Sequence, residues 1–87
     1  MLNMTDAAAG YLSEVLENAN AAPDTAVRLV VETNGLSSAL DQPRPGDTTF
    51  DHEGRKVLVL DPQASEVLAE RTLDVQSTDD GPRLGIR

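Results

Sequence analysis

His52, the single histidine of the chain, stands between Asp51 and Glu53, three neighbours that can each ligate a metal ion. Successive side chains of an extended segment point to opposite faces, so three in a row cannot converge on one ion, and zinc sites gather three or four ligands. The triplet therefore reads as the solvated tip of a hairpin. Asp79-Asp80-Gly81 has the acids and glycine of a calcium loop without its spaced ligands and terminal glutamate, and it reads as a turn. Ser37, Ser38 and Ser65 would be nucleophiles only beside a base, and none sits in a Gly-x-Ser-x-Gly context. Asn34-Gly35 belongs to no dinucleotide or Walker pattern, which leaves it a turn. With no nucleophile paired to a base, the chain is not expected to be an enzyme. Its 87 residues include no cysteine, so thiolate ligation of zinc or of an iron-sulfur cluster is not available, and no cofactor is expected.

Fifteen acidic against seven basic residues give a formal net charge of -8. Such a surface repels phosphate, so neither nucleic acid nor an anionic membrane is expected as a partner. Oxygen ligands do suit hard cations, and a carboxylate-based protein binding iron or another divalent cation is the alternative reading of the same acids. Scattered acids more commonly just solvate a surface. Tyr11 and Phe50 are the two aromatic residues, too few to make a stacking platform. The longest apolar run, residues 57–60, falls far short of the ~20 residues that span a bilayer. Without cysteines for disulfides, and with no basic and apolar leader at its start, the sequence is expected to be cytoplasmic.

The elements that would position these residues follow from periodicity. Residues 1–4 suit a short strand. Thr5 is placed to cap a helix whose apolar face is Ala7, Ala8, Tyr11, Leu12, Val15, Leu16 and Ala19. After a connector holding Asn20 and Pro23, a β-branched strand at 27–32 turns through Thr33-Asn34-Gly35 into a weaker strand at 36–40, with Val27, Leu29 and Val31 facing inward. Pro43, Pro45 and Gly46 interrupt regular structure. A second hairpin joins 48–51 to 55–60, and Lys56-Val57-Leu58-Val59-Leu60, the most apolar segment, reads as a central strand. Asp61-Pro62 supplies a cap and a first helical residue, with Ala64, Val67 and Leu68 on one face of a short helix. Residues 72–76 look extended, 77–82 read as a polar turn, and Leu84 and Ile86 alternate along a last strand. A chain of this length supports one domain, 1–87. The fold class expected is α+β and β-rich: a small antiparallel β-sandwich-like domain with an N-terminal amphipathic helix and a second short helix.

Taken in order, Met4-Thr5-Asp6-Ala7-Ala8, Val27-Arg28-Leu29-Val30-Val31, the run from Glu53-Gly54-Arg55 to Leu60-Asp61-Pro62, and Leu73-Asp74-Val75 resemble the HesB/IscA-like family of A-type iron-sulfur assembly proteins. The resemblance covers nearly the whole chain and implies a single HesB-like domain. In that family a strand of the form arginine-leucine-x-valine leads into a Gly-Gly-Cys-Ser-Gly turn. Here the corresponding residues are Asn34-Gly35-Leu36-Ser37-Ser38, with Leu36 where the first cluster cysteine belongs. The family's Cys-Gly-Cys tail lies beyond its last strand, and no such segment follows up to Arg87. The resemblance thus implies the shape without the three ligands.

By the same resemblance the cluster would sit between subunits near 34–38 and the C-terminal strand. Asn34, Gly35, Leu36, Ser37 and Ser38 are therefore the candidate contact for a protein partner or a second copy of the chain. The competing expectation is that Leu36, an apolar residue opening a strand, packs in the core. The function expected is a non-catalytic HesB/IscA-like module without a cluster that acts through protein contacts, accessory to iron-sulfur cluster assembly.

Overall fold

The computed structural model describes residues 1–33 and 35–87. In chain order the described elements are β1 (Asn3–Met4), α1 (Asp6–Asn18), β2 (Ala26–Glu32), β3 (Gly35–Asp41), β4 (Thr48–His52), β5 (Arg55–Leu60), α2 (Pro62–Val67), β6 (Thr72–Thr78) and β7 (Gly81–Ile86). Both helices begin at the caps expected from sequence. The Thr5 hydroxyl accepts the Ala8 N–H at 3.1 Å, and the Asp61 carboxylate accepts the Ala64 N–H at 2.7 Å with Pro62 opening the helix.

The strands form two sheets, one ordered β3-β2-β5-β4 and the other β1-β6-β7. Three antiparallel hairpins, β2/β3, β4/β5 and β6/β7, are joined by two parallel pairings, β2 with β5 and β1 with β6. Those parallel contacts are absent from a reading built on hairpins, because their partners lie on distant stretches of chain. The 77–82 stretch also differs from expectation. Strand pairing continues to Thr78↔Gly81, leaving Asp79 and Asp80 as the turn, and Pro82 is accommodated within a strand at the rim of its sheet.

The cross-strand registers place Val27, Leu29 and Val31 on one face with Leu58 and Leu60 of β5. Ala8, Leu12 and Leu16 of α1 join Val27, Leu29, Leu58, Leu60 and Leu73 in the core. Val57, Leu58, Val59 and Leu60 are all buried. Since consecutive strand residues face opposite ways, both faces of β5 are covered, as a central strand requires. Ala64 of α2 and Leu68, the residue that caps its end, turn inward, whereas Val67, placed by periodicity on the same face, is 55% exposed.

Candidate functional site

β3 continues the core-side face of its sheet, because Leu36, Ser38 and Leu40 lie opposite Val31, Leu29 and Val27. The register therefore agrees with the inward alternation expected from sequence. Coverage does not follow it: Leu36 is 41% and Leu40 45% exposed. Leu36 is thus not a core residue, which corrects the expectation that it packs inside. β3 is an outer strand, and its leucines lie on a face whose buried part ends at β2.

Two open clefts meet at Leu36. The first, about 430 Å³, is walled by Tyr11, Leu12 and Val15 of α1, Val27 and Leu29 of β2, Leu36, Ser37 and Ser38 of β3, Leu73 of β6, and Arg83 and Leu84 of β7. The second, about 630 Å³, lies between Val31–Glu32–Thr33, Gly35 and Leu36 on one side and Val67, Leu68, Arg71, Leu84, Gly85 and Ile86 on the other. Leu36 and Leu84 line both. The segment 35–38 and the C-terminal strand, set 43 or more residues apart in sequence (81 against 38), thus border shared apolar ground. Asn34, also part of the candidate contact, lies outside the described residues. Gly35 is exposed with φ +140°, a conformation that favours glycine. Ser37 Oγ donates to Glu32 Oε1 at 2.9 Å, so its hydroxyl is engaged by a carboxylate and not by His52. Ser65 shares a hydroxyl hydrogen bond with Thr48 at 3.3 Å.

His52 and its neighbours occupy the β4/β5 hairpin, where His52 pairs with Arg55 and Glu53 takes φ +52° beside Gly54 at +82°. Among the described residues no three His, Cys, Asp or Glu side chains stand close enough to share a metal ion. Among the described residues no helix is long and apolar enough to cross a membrane.

A polar cluster that sequence reasoning passed over lies where the end of β3 and the 42–47 loop meet β2. Arg28 is buried on β2, and its guanidinium donates to Asp41 at 3.0 Å, to the Gln42 carbonyl at 3.1 Å and to Asp47 at 2.6 Å. Asp47 also accepts the Arg44 N–H at 2.7 Å, and the Arg44 side chain donates to Asp41 at 2.9 Å. The hydrogen bond from Arg28 holds the Asp47 carboxyl below its ordinary range, and the Gln42 N–H, followed by Arg28, does the same for Asp41. The network fixes the end of β3 and the 42–47 loop against β2. The one sequence signal was an arginine amid the apolar residues of a buried strand, a place where charge is found only when paired.

No family model and no curated protein matches the sequence. Solved structures do. Escherichia coli SufA, described as involved in biosynthesis of iron-sulfur clusters, matches with a TM-score of 0.73 and 26% identity over 99% of this chain and 83% of that one. A protein from Aquifex aeolicus, solved in solution, matches at 0.69 and 25% identity over 99% of this chain and 89% of its own. The chain has the HesB/IscA-like fold. IscA with a [2Fe-2S] cluster shares that fold at a TM-score of 0.66 and 19% identity, over 100% of this chain and 84% of that one. The donor set that a HesB/IscA-like cluster site needs is not present here, since the 87 residues contain no thiol and Leu36 supplies neither charge nor a lone pair.

Proposed function

We propose that this chain is a non-catalytic HesB/IscA-like module that carries no iron-sulfur cluster and acts through protein contacts, accessory to cluster assembly and resident in the cytoplasm. The surface assigned to those contacts is the segment 35–38 together with Leu84. One observation supports this above the others: Leu36, at the position that resembles a cluster cysteine, is a 41% exposed leucine where two clefts meet. A leucine there offers no chemistry to a metal but gains free energy when a partner covers it. Glu32, Arg71 and Arg83 around the clefts supply a charged rim to an apolar centre, the arrangement found in protein interfaces.

The test is affinity capture from the native lysate with the intact chain and with Leu36→Asp. The intact chain is expected to retain specific proteins of iron-sulfur assembly that the variant loses, while the variant's melting temperature changes little because the side chain is already exposed. Repeated capture of no such protein by the intact chain would defeat the proposal. The cation-binding alternative draws no support from side-chain geometry among the described residues.

A further inference from the structure

Among the described residues β7 pairs with β6 on one side and with nothing on the other. Thr72 and Arg87 exchange both backbone hydrogen bonds, at 3.1 and 2.8 Å. Bonded and non-bonded pairs alternate along an antiparallel ladder, so Asp74↔Gly85, Gln76↔Arg83 and Thr78↔Gly81 are bonded pairs as well. Leu84 and Ile86 fall between them and direct their N–H and C=O groups away from β6. Pro82, the next position of that kind, has no N–H to offer. The free edge is therefore a short one, Leu84 and Ile86, closed at one end by proline.

Both residues open onto the larger cleft, across from Leu36 and from Val67, which are 41% and 55% exposed. Their side chains pack on the core beside Val75 and Leu73. Residues directly opposite in a ladder share a face, so a strand laid against β7 sends the residues facing Leu84 and Ile86 into that apolar ground. Arg83, Gly85 and Arg87 hold the alternate positions. Between the two arginines the Gln76 amide lies over Gly85, within 2.6 Å of where a Cβ would stand.

Charge then selects the occupant. Residues 71–87 carry three arginines and three aspartates, so the net charge of -8 belongs to the rest of the chain. Arg83 reaches Asp80 only at 3.5 Å, between side chains 65% and 80% exposed. A second β7 fits badly, because antiparallel pairing about Gly85 sets Arg83 against Arg87 on both sides of the axis, and like charges directly opposite repel. We propose that β7 receives, antiparallel, an extended segment of a different protein with the pattern acid-apolar-polar-apolar-acid. Its acids face Arg83 and Arg87, its apolar residues face Leu84 and Ile86, and its central residue meets Gln76. Addition of a strand to an exposed edge draws affinity from the main chain and specificity from alternate side chains. The inference rests on the protein-contact reading above and gives that partner a chemistry.

The probe is a blocked heptapeptide, Ser-Glu-Val-Ser-Val-Glu-Ser, titrated into the intact chain and followed by amide hydrogen exchange in NMR spectra. Exchange at the Leu84 and Ile86 N–H groups is expected to slow, while Gly85, already bonded to β6, changes little. The same peptide N-methylated at both valines keeps its side chains but loses the ladder donors, and should bind about tenfold more weakly or worse. Arg83→Glu, at an exposed position, should weaken binding about tenfold and should prefer a peptide with lysine in place of both glutamates, a rescue that a merely structural arginine would not give. No binding at millimolar peptide, or equal affinity for the glutamate, lysine and N-methylated peptides, overturns the proposal. Protection of the two amides in a peptide-free dimer would give the edge to a second copy and overturn it too. If the peptide fails while the intact chain still captures assembly proteins through Leu36, this inference alone falls; if the peptide binds as expected and no assembly protein is captured, the functional reading alone falls.

Discussion

Arg28 carries the largest single penalty if its surroundings change. Its side chain is 9% exposed and that of Asp47 5%, with 2.6 Å between their charged atoms. Removing Asp47 takes the shortest of three hydrogen bonds from a buried guanidinium that keeps Asp41 and the Gln42 carbonyl, and Asp47→Ala is expected to cost about 2 kcal/mol in urea unfolding. Replacing both, with Arg28→Met and Asp47→Leu together, should cost less than either change alone, so a double-mutant cycle reads the pair. The same carboxylate sets a pH response. Asp47 and Asp41 titrate below the ordinary 3.8 when folded, so the unfolded chain binds protons first as pH falls. Their contribution is complete above about pH 5 and is lost as pH drops through 3.8 and then through the lower folded values. Urea midpoints between pH 7 and pH 2 should decline over that window, and more shallowly in Asp47→Asn. None of this could be foreseen from local pattern, because the partners of Arg28 lie 13 and 19 residues away. Leu36 shows the opposite case: alternation predicted the face it occupies, but whether another element reaches far enough to cover that face is a property of tertiary packing.

The helix starts were the most legible elements, since a cap is chemistry between neighbours. Thr5 does more than its position suggests. While accepting from Ala8 it donates to Asp74 Oδ1 at 2.8 Å, joining α1 to β6. The Asp74 carboxyl is held below its ordinary range by the Val75 N–H, the Thr5 hydroxyl and Arg87. Thr5→Ala should lose about 1 to 2 kcal/mol of stability, and Thr5→Ser should recover most of it, as thermal unfolding would show. Hairpins and the central β5 were equally readable, being local turns and a continuous apolar run. The β2/β5 and β1/β6 pairings were not, because the side-chain pattern of a strand records which faces are buried and is silent on which neighbour lies beside it. Residues 77 to 82 misled for a related reason: polar residues in an outer hairpin resemble a loop, although their backbone is paired.

For the molecule as a whole, the HesB/IscA-like fold is built here from a sequence without cysteine. Anaerobic incubation with iron and sulfide should yield a colourless protein, and stoichiometric acid-labile sulfide with visible absorbance would show that nitrogen and oxygen donors suffice after all. The shape needs no cluster to persist, since α1 and both sheets share one apolar core. That core also dictates the order in which the molecule can be completed. The Thr5–Asp74 bond and the parallel β1/β6 register tie positions 69 residues apart. At a synthesis rate of roughly 5 to 20 residues per second, residues 3–5 wait several seconds for the strand that receives them, so closure of this domain follows the synthesis of β6.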